Sequence, residues 1–313
     1  MPTRARWYTA REHVLAPPDF SFWRTAYSHG WCDLPPFAFD PVRRTLSRIV
    51  EPFPGILIHC TLAEASHGVT IALRSGSPIT TPVKRAVSGQ IRSCLRLDED
   101  FRAFHLAARR NPRFRWIASS RSGRMLRAPT LFEDSVKMIC TTNCNWALTR
   151  AMISNIVRVA GRRFDDGLFS FPQPSALSAL TERDLRSEVK AGYRAPYLLE
   201  LADRVASGAL DLEQWRSSPL SSEDLLAQLM TIKGIGPYAG QNLLKLLGRY
   251  DRLGLDSWVR GRFSRLYARG QRVKDKTIER HYAEFGGWRG LFFWLEMTRD
   301  WHDGNARHPD LAR

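Results

Sequence analysis

Residues 225–263 read LLAQLMTIKGIGPYAGQNLLKLLGRYDRLGLDSWVRGRF and combine two helical patterns with a glycine-containing turn. The first pattern has Ser221 as its predicted N-cap, Asp224 at the third helical position and leucines along one buried stripe. The turn, residues 232–236 (IKGIG), carries two glycines that permit a sharp reversal and leave backbone N–H groups uncovered by side chains. The stretch therefore predicts a helix, a hairpin and a second helix.

The second helix is predicted to begin at Pro237, because a proline at the first helical position loses no hydrogen bond. Gly248 marks its predicted end. Ala239, Leu243 and Leu246 can pack inward on one face. A different, polar face carries residues at spacing i, i+3, i+4 and i+7: Tyr238, Gln241, Asn242 and Lys245. This second face is a candidate active-site wall.

Backbone amides exposed at the start of a helix form a cradle for an anion, such as one DNA phosphate, without reading base sequence. An ordinary glycine-containing turn is the alternative, because a single G-x-G is weak evidence. The hairpin is followed by Asp256, within the sequence Gly254-Leu255-Asp256-Ser257-Trp258. Asp256 can serve as an N-cap or as a functional carboxylate, and the two roles are compatible because a capping carboxylate is rigidly held.

The composition points to a globular protein that attracts polyanions. With 313 residues and 43% hydrophobic content, the chain can bury a core and is predicted to form two or more domains. The excess of 47 Lys and Arg over 31 Asp and Glu gives a net charge of +16, which fits nucleic acid, a ribosomal surface or an anionic membrane. No apolar run is long enough to span a bilayer, and the charged residues 1–14 do not read as a signal peptide. A cytoplasmic protein is therefore expected.

The cysteine count favours reduced thiols. Five cysteines are scattered along the chain, and an odd number without a secretory signal is typical of a cytoplasmic protein. Cys140 and Cys144 could share a helix face, but no second cysteine pair or suitably spaced histidine accompanies them. A zinc site is therefore not predicted.

Residues 1–97 are predicted to form an α+β domain. Residues 55–60 (GILIHC) and 69–73 (VTIAL) read as strands, and residues 83–93 read as a helix with apolar residues four apart. An antiparallel sheet with helices on one face accounts for this pattern. Residues 28–32 (SHGWC) fit core packing beside a turn, or alternatively the lip of a base pocket.

The remaining residues, 98–313, read as mostly α-helical. A helix is predicted for residues 98–109, a basic loop for residues 113–126 and a final core helix for residues 285–302. Thr130 and Glu133 read as a capping box that opens a helix with one buried stripe. That helix is predicted to break at residues 141–145 (TTNCN), and a new helix to start near Trp146.

Residues 225–263 resemble the helix-hairpin-helix of the HhH-GPD DNA glycosylase superfamily, in its 3-methyladenine and 8-oxoguanine branch, where a Gly/Pro-rich hairpin precedes a functional aspartate. Residues 131–150 (LFEDSVKMICTTNCNWALTR) and 192–197 (GYRAPY) are similar to further elements of that branch. The resemblance covers about residues 98–302. It implies a helical core at 98–313, with residues 130–255 as one subdomain and residues 98–129 with 256–313 as the second.

The resemblance implies a role for each of a set of residues. Asp256 is the expected catalytic carboxylate. The expected base pocket consists of Tyr238, Gln241, Asn242 and Trp294. Asn143 is expected to fill the gap left by an extruded base, with Asn145 either inserting beside it or capping the next helix. The expected contacts to the DNA backbone are Lys233, Gly234, Ile235, Gly236, Tyr193, Arg194 and Arg260, although Arg194 can equally be a surface ion-pair partner. A monovalent cation is expected on the carbonyls of Met230, Ile232 and Ile235.

The implied reaction is hydrolysis of an N-glycosidic bond. A fixed carboxylate stabilises the positive charge that develops on the sugar and can orient or deprotonate the attacking water. Bifunctional relatives place a lysine where this chain has Tyr238, and a phenol cannot form a Schiff base. A monofunctional enzyme without lyase activity is therefore predicted, with Lys233 and Lys245 as the possible exceptions.

Damaged or modified purines are the favoured substrates, and a modified pyrimidine remains an alternative. Tyr238 suits a cationic base through stacking and cation–π attraction, whereas Gln241 and Asn242 could bond the edge of a neutral one. The resemblance implies a monomer acting on double-stranded DNA, in the cytoplasm or at a bacterial nucleoid. No cysteine follows Cys144, so the C-terminal iron–sulfur cluster of some relatives is not expected. The competing functions are a non-catalytic protein that binds double-stranded DNA and a basic RNA-binding protein.

Overall fold

The computed structural model of the protein describes residues 7–165 and 167–302. The first residues of the charged N-terminal stretch and the last residues of the predicted helical core, 303–313, lie outside this range. Within it, the residues form two compact units. The first unit contains the residues up to Glu99 and from Arg124 to Asp211, and the second contains those from Asp100 to Gly123 and from Leu212 onward. Because these units group residues by contact, the domain boundaries predicted above stay a prediction.

Helices make up most of the regular structure. In chain order, α1 to α14 are Phe22–Ala26, Thr81–Leu95, Arg102–Arg110, Arg115–Ser119, Leu131–Thr141, Trp146–Ala160, Pro174–Ser178, Glu182–Ser187, Ala195–Ala206, Ser222–Leu229, Pro237–Leu246, Ser257–Tyr267, Asp275–His281 and Arg289–Met297. Short 3-10 helices are Gly30–Asp33, Gly192–Arg194, Glu213–Ser217, Ala283–Trp288 and Arg299–His302. Across residues 7–165 and 167–302, none of these helices has the length and apolarity needed to traverse a lipid bilayer.

The strands of the first unit form a five-stranded antiparallel sheet in the order β1-β5-β4-β3-β2 and a separate two-stranded pair, β6-β7. The strands β1 to β7 are Tyr8–Leu15, Ala38–Asp40, Thr45–Phe53, Ile56–Ala65, Gly68–Ser75, Arg163–Asp165 and Leu168–Phe169. The predicted α+β N-terminal region followed by a mostly helical core is confirmed.

Helix α2 covers the sheet because its apolar residues recur every four positions. Val83, Val87 and Ile91 are all buried, as their spacing predicts. They belong to a helix that contacts β1 and β3. On the strands, alternate residues such as Ile58 and Leu62 of β4 are buried, whereas their neighbours are more exposed. The core of this region therefore lies between the sheet and α2.

Helix α5 differs from its prediction, because ten successive residues, 131–140, are buried rather than one stripe. Its charged residues must consequently be paired. Glu133 accepts hydrogen bonds from Arg48 at 3.0 Å and from Lys137 at 2.8 Å. The predicted capping box is therefore only half formed: Thr130 accepts from the Glu133 backbone N–H, while the Glu133 carboxylate is occupied by the two cations.

Three helix predictions in the second unit are corrected. The helix expected from residue 98 starts at Arg102, because the Asp100 carboxylate accepts from the Arg102 N–H and so ends the preceding turn. The loop expected at 113–126 contains α4, which buries Ile117. The single helix expected at 285–302 is interrupted, because Gly286 has φ +51° and ψ −122°.

Candidate active site

The hairpin of the second unit forms as its sequence predicts. Ser221 caps α10 by accepting a hydrogen bond from the Asp224 N–H at 3.1 Å. Ile232 and Ile235 are both buried, and the Ile235 N–H bonds the Ile232 carbonyl at 3.0 Å, which closes the turn. Gly234 has φ +88°, a conformation that favours glycine. A Cβ added to the neighbouring Gly236 would meet no atom within 4 Å, so the backbone before α11 is open to a ligand.

The polar face of α11 holds the loop that leads to Asp256. The Gln241 Oε1 accepts a hydrogen bond from the Gly254 N–H at 2.9 Å. The Lys245 Nζ donates to the Leu253 carbonyl and, at 3.1 Å, to the Asn242 Oδ1. The predicted active-site face therefore does not stand open as a wall. Its side chains bind the backbone of the chain segment that follows the helix.

These contacts bear on the roles expected of Gln241 and Asn242 in a base pocket, which stay predictions. The Gln241 carbonyl is used by Gly254, and the Asn242 amide donates to the Tyr238 carbonyl at 2.9 Å while accepting from Lys245. A base edge would have to compete with these partners. Tyr238, at the start of the same helix, is half-buried, and its place in a base pocket stays a prediction.

Lys245 is fully buried within α11, with 0% of its side chain exposed. Burial lowers the pKa of Lys245 to about 7, and the nearby Asp256 carboxylate opposes this shift. The ammonium also lies 5.8 Å from the ring centroid of Trp294 on α14. Lys245 and Asp256 are thus electrostatically coupled groups of one unit.

Asp256 is the N-cap of α12. Its Oδ1 accepts a hydrogen bond from the Val259 N–H at 2.8 Å, and its backbone is extended. The side chain is half-buried, so the carboxylate is fixed in position without being removed from solvent. The predicted capping role is therefore confirmed. The geometry satisfies what a rigid catalytic carboxylate requires, and the catalytic role itself stays a prediction.

Three tryptophans cluster beside this region. Trp258, two residues after Asp256, lies 6.4 Å from Trp294 and 5.5 Å from Trp301 between ring centroids. Trp294 and Trp301 are 5.8 Å apart in an edge-to-face arrangement. The prediction had singled out only Trp294, which is half-buried. Trp258 and the buried Trp301 complete this aromatic cluster.

The polar break between α5 and α6 lies in the first unit and gives its two asparagines different positions. Asn145 caps α6, with its Oδ1 accepting from the Leu148 N–H at 2.9 Å. Asn143 is exposed, has φ +47°, and donates from Nδ2 to the Tyr193 hydroxyl at 3.2 Å. Asparagine tolerates this left-handed conformation better than most residues. The turn therefore presents the Asn143 side chain to solvent, whereas the Asn145 side chain is used by the cap.

Arg194 differs from both of its predicted roles. The residue is only 4% exposed, and its Nη2 donates to the Thr142 carbonyl of the same turn. Its guanidinium also lies 4.5 Å from the ring centroid of Tyr193, which is 45% exposed. A guanidinium buried in this way is not available to a DNA phosphate or to a surface carboxylate. It supports the turn that presents Asn143.

Apart from Tyr193, the other expected contacts to the DNA backbone lie in the second unit. Lys233 is exposed in the hairpin. Arg260 on α12 donates to both oxygens of Asp275, at 2.8 and 2.9 Å. This ion pair is solvent-exposed, and such pairs are weak, so a phosphate could replace the carboxylate. These contacts to DNA stay predictions.

Within the part of the chain that the structure describes, no group of three or more His, Cys, Asp or Glu side chains could hold a metal ion. A monovalent cation needs only carbonyl oxygens. Those of Met230, Ile232 and Ile235 follow the C-terminal end of α10, where the helix dipole favours positive charge. The Ile232 carbonyl already accepts from the Ile235 N–H and has a second lone pair left for an ion.

Comparison with known proteins gives a match to part of the sequence. No family model matches the chain. A protein of Bacillus subtilis (strain 168), YfjP, provisionally named a DNA-3-methyladenine glycosylase, is 27% identical over 121 residues. The alignment covers 38% of this chain and 41% of that protein, so it spans less than half of either.

Solved structures show the same fold over nearly the whole chain. The 3-methyladenine DNA-glycosylase from Archaeoglobus fulgidus has a TM-score of 0.72 at 19% identity, with 95% of this chain and 100% of that chain covered. The 8-oxoguanine glycosylase/lyase of Clostridium acetobutylicum, in its apo form, has a TM-score of 0.70 at 20% identity, with 92% and 98% covered. The chain therefore has the DNA glycosylase fold. The resemblance inferred from the hairpin is confirmed at the level of fold.

The sequence prediction missed the part that Lys245 plays beneath the Asp256 loop. A signal was present, since residues 243–247 read LLKLL, and a lysine within a leucine run on a core helix must be buried with partners. The partners themselves, the Leu253 carbonyl and the Asp256 charge, come from outside the helix. No local pattern identifies them.

Proposed function

We propose that the protein is a monofunctional DNA N-glycosylase that flips a damaged or modified base out of duplex DNA and hydrolyses its N-glycosidic bond. The observation that carries this proposal is the placement of Asp256. Its carboxylate is fixed by the Val259 N–H at the start of α12, at the end of a loop that α11 holds. The hairpin that precedes α11 belongs to the same unit.

Asp256 supplies the chemistry. Breaking the bond between base and sugar develops oxocarbenium character on the sugar, and a carboxylate held beneath C1′ stabilises that charge. The same carboxylate can orient a water molecule for attack at C1′ and accept its proton. A side chain that is half-buried and already hydrogen-bonded needs little reorganisation during the reaction.

The hairpin supplies a contact to the DNA backbone. Its open backbone before α11 suits one phosphate, which the helix dipole attracts. The exposed Lys233 adds a charge at the same turn, and the net charge of +16 strengthens binding to any duplex. None of these contacts reads sequence, as is appropriate for an enzyme that must inspect many sites.

The turn at Asn143 supplies the group that fills the gap in the duplex. An enzyme acting on a buried base must take it out of the stack, and the vacated space must be occupied. Asn143 is exposed at the tip of a turn whose backbone is bonded by Arg194 and Tyr193. A supported tip of this kind suits insertion better than a mobile loop.

The absence of lyase activity follows from the positions of the amines. Tyr238 stands where a Schiff-base lysine is found in bifunctional relatives, and Lys245 is fully buried with its amine bonded to the Leu253 carbonyl. Neither residue can present a nucleophilic amine to C1′. Lys233 lies in the hairpin, where it suits a phosphate contact.

Damaged purines are the proposed substrates, and a modified pyrimidine is the alternative. The relatives reported above are named for 3-methyladenine and 8-oxoguanine, which are both purines. The aromatic surface of Trp258 and Trp294 supports stacking of an extruded base. Because Gln241 and Asn242 have other partners, recognition through stacking is favoured over recognition of the base edge.

The proposal includes no catalytic cofactor. A structural monovalent cation at Met230, Ile232 and Ile235 would link the hairpin to a DNA phosphate. An iron–sulfur cluster is not proposed, because all five cysteines precede residue 145. We further propose that the protein acts as a monomer in the cytoplasm, or at the nucleoid in a bacterium.

The test is incubation of the protein with duplexes that each carry one damaged or modified base. Each sample is divided, and one half is treated with hot alkali, which cleaves DNA at abasic sites. The proposal predicts strand breaks for at least one damaged purine, and only after alkali. Borohydride, which traps Schiff bases, is predicted to capture no covalent complex.

Two results would contradict the proposal in different ways. Breaks without alkali, together with borohydride trapping, would show that an amine attacks the sugar and would overturn the monofunctional assignment. Tight duplex binding without release of any base from the panel would favour a DNA-binding protein that uses the hairpin alone.

A further inference from the structure

Lys245 is an unusual residue for its position. A lysine side chain that is 0% exposed loses its hydration, which is costly unless other groups replace the water. It follows Leu243 and Leu244 and precedes Leu246 and Leu247, all of which are buried. A leucine or methionine at this position would avoid the cost of burying an amine. The lysine therefore calls for an explanation beyond packing.

The contacts of Lys245 converge on the segment before Asp256. Its Nζ donates to the Leu253 carbonyl, and the next residue, Gly254, lies directly against it. A Cβ added to Gly254 would stand 2.9 Å from the Lys245 Nζ and 2.9 Å from each amide atom of Asn242. Gly254 also has φ +66°, so its conformation and its surroundings both require glycine.

Two neighbours on α11 complete the arrangement. The Asn242 Oδ1 accepts from Lys245 at 3.1 Å and so orients the ammonium. The Gln241 Oε1 accepts from the Gly254 N–H at 2.9 Å. Gln241, Asn242 and Lys245 thus fix the backbone of Leu253 and Gly254, and we call these three side chains the α11 clamp. Asp256 follows only two residues after Gly254.

We propose that Lys245, as the central member of the α11 clamp, is a positioning residue for Asp256. Its amine holds the Leu253 carbonyl so that the loop delivers the carboxylate to the start of α12. The inference rests on the proposed glycosylase function and adds to it a residue that never touches DNA. Lys245 is fully buried, so its proposed role does not include a contact to a DNA phosphate.

Asp256 and Lys245 interact electrostatically as well as through the backbone. Burial lowers the pKa of Lys245 to about 7, and the Asp256 charge raises it. From α14 the group facing the amine is the uncharged ring of Trp294. The Asp256 charge therefore favours the charged form of Lys245.

The test compares three variants in single-turnover base release from a duplex substrate identified by the damage panel. Lys245→Met removes both the hydrogen bond and the charge, and Lys245→Gln keeps a donor for the Leu253 carbonyl. We expect release to slow about 100-fold in Lys245→Met and less in Lys245→Gln, because small displacements of a catalytic group are costly. Duplex affinity is expected to stay unchanged. Lys276→Met, on the exposed surface of α13, is the control and is expected to match the wild type.

A double-mutant cycle distinguishes positioning of Asp256 from a general loss of structure. Once Asp256→Asn has removed the carboxylate, Lys245→Met is expected to slow the residual release no further. Equal slowing in both backgrounds, or a wild-type rate in Lys245→Met, would overturn the inference. Failure of the wild type to release any base would instead overturn the proposed function.

Gln241→Ala provides a second route if Lys245→Met does not fold. Gln241 is half-buried, and its replacement removes the acceptor of the Gly254 N–H without removing a charge from the core. We expect a smaller loss in release rate, of about 10-fold, with unchanged duplex affinity and unchanged Tm within a few degrees. Wild-type release by Gln241→Ala would contradict a clamp that positions Asp256.

Discussion

Asp256 combines two roles at the scale of a single residue. As an N-cap it satisfies the Val259 N–H, and as a proposed catalytic group it needs the fixed geometry that capping provides. One substitution at Asp256 distinguishes the two roles. Asparagine preserves the cap and removes the charge, so it separates the chemical role from the structural one.

Residue roles were predictable where they depend on the local chain. The capping by Ser221, Asn145 and Asp256 follows from sequence because the acceptor and the N–H group lie within three residues. The contacts that Gln241 and Arg194 make were not predicted, for the opposite reason. Their partners lie 13 and 52 residues away, at Gly254 and Thr142, and no local pattern encodes such a pairing.

Asn143 gives a prediction at this scale. Asn143→Gly retains the left-handed backbone and removes the side chain proposed to fill the duplex. We expect release of a base from a fully paired duplex to slow about 10-fold, because an unfilled gap favours return of the base to the stack. Single-turnover release from duplex DNA is the measurement. Release from a mismatched site, where the base leaves more easily, is expected to fall less.

Asn145 provides the matched control for that experiment. Asn145→Asp keeps the cap on α6, since aspartate is an equally good N-cap. We expect Asn145→Asp to change the rate of base release by the same factor on paired and on mismatched substrates. If Asn143→Gly slows base release by the same factor on both substrates, the proposed gap-filling role is wrong.

At the scale of elements, short-range signals explain why α10, the hairpin and α11 were predicted correctly whereas α5 was not. Ser221 and Pro237 mark helix starts by local chemistry, and Gly234 marks the turn. The sequence of helix α5 contains charged residues, and these predict one exposed face. That face is buried because Arg48, on a distant strand, neutralises Glu133.

The buried charges of α5 give a stability prediction. Glu133→Gln leaves the guanidinium of Arg48 and the ammonium of Lys137 buried without their counter-ion. The free energy of unfolding is expected to fall by about 3–5 kcal/mol, as for other buried pairs that lose one partner. Urea unfolding monitored by circular dichroism measures this change.

A solvent-exposed pair supplies the comparison. Glu182→Gln removes the partner of Arg186 on α8, where both side chains are about half exposed. The free energy of unfolding is expected to change by about 0.5 kcal/mol or less. Equal effects of Glu133→Gln and Glu182→Gln would show that the α5 network does not stabilise the fold.

At the scale of the whole molecule, the net charge of +16 predicts strong and salt-sensitive binding to duplex DNA. Lys233→Gln removes one proposed phosphate contact at the hairpin. The slope of log Kd against log salt concentration is expected to decrease in magnitude by about 1. Lys276→Gln, which changes net charge equally, is expected to leave the slope near that of the wild type. Equal slopes for Lys233→Gln and the wild type would contradict a phosphate contact at the hairpin.

The stability of the molecule in acid depends on its buried carboxylates. Burial alone raises the pKa of Glu296, but hydrogen bonds from Arg113, Tyr267 and Tyr282 outweigh it and lower the pKa below its ordinary value of 4.5. The native state consequently binds fewer protons than the unfolded state as the pH falls through this range. The stability that Glu296 contributes is therefore present above pH 4.5 and is lost as the pH falls below it.

Glu296→Gln tests this dependence. The variant is expected to be less stable than the wild type at neutral pH, since the guanidinium of Arg113 loses its carboxylate partner. The difference between the wild type and Glu296→Gln in the free energy of unfolding is expected to become smaller as the pH falls from about 7 to about 3. Urea unfolding across this range is the measurement. A difference that stays constant with pH would contradict a lowered pKa for Glu296.

The sequence predicted some strands of the sheet but not the order in which they pair. Strands β4 and β5 were recognised from apolar alternation, and their antiparallel pairing places Cys60 opposite Leu73. Strand β1, YTAREHVL, was missed, because half of its residues are polar and it has an edge position beside β5. Its pairing joins residues about sixty positions apart, and backbone hydrogen bonds rather than side chains specify that contact.

The central claim, that the Asp256 carboxylate breaks the bond between base and sugar, is tested most directly by single-turnover base release in Asp256→Asn. The substitution retains the cap on α12, so fold and duplex affinity are expected to match the wild type. The account predicts that release slows by about 100-fold or more. Release at the wild-type rate by a folded, DNA-binding Asp256→Asn protein would contradict it.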